Sequence, residues 1–138
     1  NYNLKFDKIS SLLYVDRRGA PQNSQMVIFD TTNKVNLLYT LAKMSPKSSN
    51  DLYITEVNWP LSNTAPYAPT SEHECISEDL YDKYMCDYYN IVKNTNKVKR
   101  VYWHQLIAPG YGLVDNRDGK IRKTKAFYSF KKMIDENS

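Results

Sequence analysis

Apolar and polar residues follow one another along the chain in three similar blocks. Each block starts with a run rich in apolar and β-branched residues, continues through an irregular stretch, and ends with apolar residues at helical spacing. The blocks cover about residues 8–46, 51–95 and 98–135 of the 138. We therefore predict a single domain built from three consecutive strand–helix (βα) blocks.

In the first block, KISSLLYV at residues 8–15 is the predicted strand, and TTNKVNLLYTLAKM is the predicted helix. Either Asp30 or Thr31 would cap this helix, because short polar side chains accept a hydrogen bond from the first-turn amides. The helix is predicted to end near Pro46. Its inward face is predicted from the apolar spacing of Val35, Leu38 and Leu41.

The second block begins with the strand DLYITEVNW at residues 51–59, and its helix is predicted over residues 77–93 with Ser77 as N-cap. Core packing is the predicted role of an apolar stripe on this helix, formed by Tyr81, Tyr84, Met85, Tyr88 and Val92. The third block runs from the strand VKRVYWHQLI to a helix over residues 124–135. Its predicted inward residues are Phe127, Phe130 and Ile134.

A strand followed by a helix, repeated, favours parallel strands joined by right-handed crossovers, so we predict the α/β class. All three strands are apolar until their last residues, which turn polar. The carboxyl ends of parallel strands form the edge where α/β proteins bind ligands. The polar residues predicted at this edge are Tyr14, Asp16, Arg17, Glu56, Asn58, Trp103, His104 and Gln105.

Glu56 is the most unusual of these residues, because it interrupts a segment that otherwise has the composition of a buried strand. Burying an ionised carboxylate costs several kcal/mol of folding free energy unless it is paired or hydrogen-bonded. Strict alternation would place Ile54, Glu56 and Asn58 on one face of the strand. The alternative to a functional role is a carboxylate neutralised by Arg17 or Arg18 for stability alone.

A family resemblance bears on this choice. The segments ITEVNWP and VYWHQLIAPGYGLVDN resemble the seventh and eighth strands of a (β/α)8 glycoside hydrolase of the clan A type, and YVDRRGAP resembles the end of its sixth strand. The resemblance extends over about residues 14–134 and implies the C-terminal part of a TIM barrel. It also implies a retaining enzyme for poly- or oligosaccharides, with Glu56 as the nucleophile that forms a covalent glycosyl intermediate.

The same resemblance implies roles for the neighbouring residues. Tyr14 and Arg17 would keep Glu56 ionised. Trp103 would offer its flat face to a sugar ring and Gln105 a hydrogen bond to a hydroxyl, with His104 left open because a bulge would reverse the strand alternation. The other residues predicted to bind substrate are Asp16, Asn58, and the loop aromatics Trp59, Tyr67 and Tyr111, which are placed as stacking platforms.

The chain differs from a complete barrel of about 250 residues, since it supplies three of the eight βα blocks. The acid/base of the fourth strand is not among them, and Asp16 is the nearest substitute. We interpret a start at Asn1 as the mark of a chain cut from a longer one and expect no hydrolysis by it alone. A non-catalytic carbohydrate-binding remnant is the alternative function. Exposed sheet edges predict a homo-oligomer or association with the missing blocks.

Composition excludes several other classes. A net charge of +4 with separate acidic and basic stretches is typical of solvated faces, so we predict no nucleic-acid partner. No segment is long and apolar enough to predict a membrane span. The spacing of His73, Glu74 and Cys75 disfavours a metal site, and neither Cys75 nor Cys86 is placed as a nucleophile beside His73 or His104. We predict no cofactor and leave the cellular location undetermined.

Overall fold

The computed structural model describes residues 5–15, 19–22, 30–45, 47, 49–62, 74–117 and 119–136. The three longer strands in it alternate with three helices, in agreement with the α/β class predicted from the sequence. In chain order the elements are β1 (Ile9–Leu12), α1 (Thr31–Lys43), β2 (Leu52–Val57), α2 (Glu78–Asn94), β3 (Val98–Trp103), β4 (Val114–Asp115), β5 (Arg122–Lys123) and α3 (Lys125–Asp135).

The first three strands form one parallel sheet in the order β1-β2-β3. The pairing of β1 with β2 is regular up to Ser11 opposite Ile54, and then Leu12 lies opposite Glu56, so that Thr55 has no partner in the register. Thr55 is exposed, while Val57 is fully buried. An extra residue of this kind reverses the alternation of side chains. The prediction that Glu56 shares the face of Ile54 is therefore wrong.

Helix α1 begins after its N-cap Asp30, whose carboxylate accepts a hydrogen bond of 2.7 Å from the amide of Asn33. Val35 and Ala42 are fully buried and lie seven residues apart, which is two helical turns. Leu41 is 49% exposed, so the prediction that it faces inward is wrong. The small side chain of Ala42 occupies the inward position next to it.

Helix α2 begins after Ser77, whose hydroxyl accepts a hydrogen bond from the amide of Leu80. Its predicted core stripe is confirmed, because four members are buried and one is half-buried; the buried ones are Tyr81, Met85, Tyr88 and Val92. Helix α3 begins after the buried N-cap Thr124 and buries Ala126 fully. Ile134 is 51% exposed, which contradicts its predicted inward position.

The short strands β4 and β5 pair in antiparallel fashion inside the stretch that the sequence predicted as irregular. The loop before them folds back tightly, since the Val114 amide donates to the Leu106 carbonyl at 2.8 Å. Gly112 allows this approach, because a Cβ atom at that position would lie 2.6 Å from the carbonyl oxygen of Val114.

The chain divides into two compact units. Unit 1 is formed by Asn1–Val57 and Tyr88–Tyr102, and unit 2 by Asn58–Asp87 and Trp103–Ser138. Strands β1 and β2, helix α1 and nearly all of β3 thus belong to unit 1, whereas β4, β5 and α3 belong to unit 2. Among the described residues, no helix is both long and apolar enough to cross a membrane.

Candidate functional site

The candidate site in unit 1 lies where β1 and β2 end. The hydroxyl of Tyr14, two residues beyond β1, donates a hydrogen bond to Oε1 of Glu56, the penultimate residue of β2. Both side chains are half-buried, so the carboxylate is partly withdrawn from water and still partly accessible. The donated hydrogen bond fixes the orientation of the carboxylate.

The backbone beside this pair makes three further hydrogen bonds. The Leu13 amide donates to the carbonyl of Glu56 at 3.1 Å, which continues the strand pairing one step beyond β1. The buried hydroxyl of Tyr88 donates to the Leu13 carbonyl at 2.8 Å, and Nζ of Lys34 donates to the Tyr14 carbonyl at 3.1 Å. Residues from α1 and α2 therefore contact two consecutive carbonyls at the end of β1.

Unit 2 contains an aromatic cluster, which we define as Trp59, Tyr81, Tyr84 and Trp103. The rings of Trp59 and Trp103 stack with centroids 5.8 Å apart, and Tyr81 meets Trp103 edge to face at 5.6 Å. The indole Nε1 of Trp103 also donates to the Tyr81 hydroxyl at 2.8 Å. Trp59 is fully buried, so the prediction of an exposed stacking platform at Trp59 is wrong.

The other predicted substrate-binding residues of unit 2 lie in different environments. Asn58 is buried, and its side-chain amide donates to the carbonyl of His104. His104 itself is half-buried and is joined to the exposed Gln105 by a cis peptide bond. Tyr111 is half-buried, and its carbonyl accepts a hydrogen bond from Tyr81 at 2.8 Å.

Four residues of the predicted site and its alternatives lie outside the described residues: Asp16, Arg17, Arg18 and Tyr67. Their predicted roles stay predictions. His73 of the disfavoured metal site also lies outside them. In the part of the chain that the structure describes, no group of three or more His, Cys, Asp or Glu side chains is arranged to hold a metal ion.

A buried ion pair in unit 2 was not predicted from the sequence. The Asp115 carboxylate accepts hydrogen bonds from Nη2 of Arg117 at 2.8 Å and from the Gly110 amide at 3.1 Å, and Arg122 lies 3.5 Å away. Arg117 also donates to the Leu61 carbonyl at 3.2 Å. Burial alone would raise the pKa of Asp115, but the hydrogen bonds from Arg117 and Gly110 outweigh it and hold the pKa below its ordinary value.

The thiol of Cys86 is poorly suited to nucleophilic chemistry. Burial and the nearby Asp82 carboxylate raise its pKa, whereas a reactive cysteine needs a lowered one. This agrees with the sequence analysis, which disfavoured a cysteine nucleophile.

Comparison with protein-family models and with curated proteins finds no match to this chain.

Proposed function

We propose that this chain is the C-terminal portion of a retaining glycoside hydrolase with a (β/α)8 barrel of the clan A type, and that Glu56 is its nucleophile. The observation that supports the proposal most directly is the hydrogen bond from the Tyr14 hydroxyl to the Glu56 carboxylate at the carboxyl ends of two parallel strands. The resemblance of ITEVNWP, YVDRRGAP and VYWHQLIAPGYGLVDN to strand ends of such enzymes supports it from the sequence.

The geometry suits the chemistry in three respects. Glu56 is half-buried, so a sugar can approach one side of the carboxylate while the other side accepts the Tyr14 hydroxyl. The hydroxyl is neutral, so it orients the carboxylate without neutralising its charge. Leu12, which lies opposite Glu56 in the register, is exposed, so the carboxylate has an accessible neighbour on β1.

In the proposed reaction, an oxygen of Glu56 attacks the anomeric carbon and displaces the leaving sugar oxygen, which takes a proton from a second carboxylic acid. Water, deprotonated by that same second group, then hydrolyses the ester and releases Glu56. The second carboxyl group must lie about 5 to 5.5 Å from the nucleophile in a retaining enzyme. We expect it on the fourth strand of the barrel, which this chain does not supply.

Activated 2-fluoro-glycosides test the proposal, because they carry leaving groups that need little acid assistance. The chain and its longest native form would be incubated with a panel of these reagents and analysed by intact mass spectrometry and peptide mapping. The expected result is a single glycosyl adduct on Glu56. Glu56→Gln should abolish it, whereas Glu136→Gln, at an exposed position in unit 2, should not change it.

Each other outcome has a definite meaning. An adduct on the long form alone would mean that the nucleophile requires the rest of the barrel. Adducts at other carboxylates, or an adduct that survives in Glu56→Gln, would refute the assignment. Sugar binding without any adduct on either form would favour the non-catalytic carbohydrate-binding alternative.

A further inference from the structure

Strand β1 ends before the residue that contacts the candidate nucleophile. Its register with β2 ends at Leu12, one residue after the irregularity, and the amide of Leu13 makes one further bond to the Glu56 carbonyl. Tyr14 therefore lies just past the strand, where the pairing no longer fixes the backbone. A hydrogen bond between a phenol and a carboxylate depends steeply on distance and angle, so the backbone of Tyr14 must be held by other groups.

Tyr88 is well suited to hold it. This side chain is fully buried on α2, and its hydroxyl donates to the Leu13 carbonyl at 2.8 Å. Burial, with a smaller contribution from Tyr89, raises the pKa of the Tyr88 hydroxyl, so the group keeps its proton and remains a donor. A tyrosine ring also has few rotatable bonds, and a buried one holds its hydroxyl in a nearly fixed place.

Lys34 contacts the next carbonyl from a different helix. Its Nζ donates to the Tyr14 carbonyl at 3.1 Å in a partly buried position. Its backbone lies in the first turn of α1, which is capped by Asp30 and anchored by the fully buried Val35. Two helices thus hold the carbonyls of Leu13 and Tyr14, which lie on either side of the Tyr14 Cα atom.

From this arrangement we infer that Tyr88 and Lys34 are positioning residues, which hold the carbonyls of Leu13 and Tyr14 and thereby keep the Tyr14 hydroxyl on the Glu56 carboxylate. The inference rests on the proposed function, because it assigns the two residues to the orientation of the proposed nucleophile. The hydrogen bonds themselves are independent of any substrate, so the inference can be tested without one.

The test is NMR of the full chain labelled with 13C at the ζ carbon of tyrosine, which reports on hydrogen bonding of the phenol oxygen. Tyr14→Phe identifies the Tyr14 signal, and Glu56→Gln gives the shift that follows when the charged acceptor is lost. Tyr88→Phe and Lys34→Met should each move the Tyr14 signal by about half or more of that amount. In the Glu56→Gln background, the same two changes should have little additional effect.

Matched controls separate positioning from general loosening. Tyr81→Phe removes another buried hydroxyl of α2 that donates to a backbone carbonyl, in unit 2 rather than unit 1. Lys43→Met removes a second lysine of α1, which lies over the Tyr39 ring. Neither control should move the Tyr14 signal. Should Tyr88→Phe fail to fold, Lys34→Met carries the test alone.

Two results would overturn the inference. One is an unchanged Tyr14 signal in Lys34→Met and in folded Tyr88→Phe. The other is a shift that is equally large in the Glu56→Gln background, because the effect would then not act through the bond to Glu56. A glycosyl adduct on Glu56 together with either result would leave the proposed function standing, whereas the expected shifts without any adduct would support the positioning role alone.

Discussion

In the contact between Tyr14 and Glu56, the tyrosine hydroxyl is the hydrogen-bond donor and the charged carboxylate is the acceptor. A hydrogen bond to a charged group contributes about 1.5 to 3 kcal/mol, roughly twice what a bond between neutral groups contributes. Because the ring of Tyr14 remains when only its oxygen is removed, substitution by phenylalanine isolates this contribution.

We expect Tyr14→Phe to slow the labelling of Glu56 by activated 2-fluoro-glycosides about tenfold to a hundredfold, which corresponds to the loss of one charged hydrogen bond. The measurement is the rate of adduct formation by mass spectrometry. Tyr128→Phe, at a position that is 60% exposed, is the control and should react at the original rate. An unchanged rate in Tyr14→Phe would remove Tyr14 from the proposed site.

Trp59 offers a second test at the same scale, because its full burial indicates packing rather than sugar binding. We expect Trp59→Ala to lower the free energy of unfolding by about 3 to 5 kcal/mol, the usual cost of removing a large buried side chain. Urea denaturation measures this change. Tyr128→Ala should cost far less, and a Trp59→Ala variant as stable as the original would show that Trp59 is accessible after all.

At the scale of elements, the loop between β3 and β5 is held by charge as well as by backbone bonds. Asp115 and Arg117 are both about 5% exposed in their side chains, and Arg117 reaches the Leu61 carbonyl. Removing one partner of a buried ion pair leaves the other charge uncompensated, which typically costs about 3 to 5 kcal/mol. Removing either partner alone should therefore destabilise unit 2, whereas replacing both with apolar residues of similar volume need not.

The pH dependence follows from the lowered pKa of Asp115. Its ordinary value is 3.8, and the folded state holds it below that, so this group stabilises the fold fully above about pH 4. The contribution is lost as the pH falls through the folded pKa. We expect the original chain to lose more stability than Asp115→Asn between about pH 6 and pH 2, as measured by urea denaturation. Equal losses would contradict the assignment.

Periodicity in the sequence was enough to predict the three longer strands and the three helices. The residue types preferred at helix starts predicted Ser77 as the N-cap of α2 and left Asp30 or Thr31 for α1, where the structure has Asp30. Periodicity failed where one helical turn offers two apolar neighbours, as at Leu41 and Ala42, because spacing alone does not decide which side chain meets the sheet. It also missed β4 and β5, since two residues are too few to show a pattern.

The candidate site was predicted to a similar extent. The approach of Tyr14 to Glu56 follows from both residues lying at carboxyl ends of parallel strands. The contacts of Tyr88 and Lys34 did not follow, because a side chain that donates to a distant backbone carbonyl leaves no mark in the sequence. The pair Asp115 and Arg117 gave no signal either, since charges two residues apart in a loop are common on exposed surfaces.

At the scale of the whole molecule, neither compact unit is a continuous stretch of the chain. Unit 1 needs Tyr88–Tyr102, which supplies all of β3 but its last residue, together with the buried residues Tyr88 and Val92. Unit 2, by contrast, is drawn entirely from residues that follow Val57. A cut after Val57 therefore deprives unit 1 of part of its core and leaves every residue of unit 2 on one fragment.

We expect residues 1–57 alone to remain unfolded and residues 58–138 alone to retain the structure of unit 2. Two-dimensional NMR of the two fragments is the measurement, with the intact chain as reference. Dispersed amide signals from residues 1–57 would contradict this expectation. Self-association through the sheet edges stays a prediction. Sedimentation of the intact chain would measure its oligomeric state.

Thr55, which is skipped in the pairing of β2 with β1, bears on how this protein tolerates changes in length. Side chains of a strand alternate between its two faces, and this one residue reverses the alternation in β2 just before Glu56. Deleting Thr55 would remove the extra residue and restore regular alternation, in which Glu56 stays on the face opposite the buried Leu52 and Ile54 and Val57 stays on theirs. Thr55→Ser and the deletion should therefore both leave the chain folded, as circular dichroism would show; a deletion variant that fails to fold would mean that the extra residue is itself required.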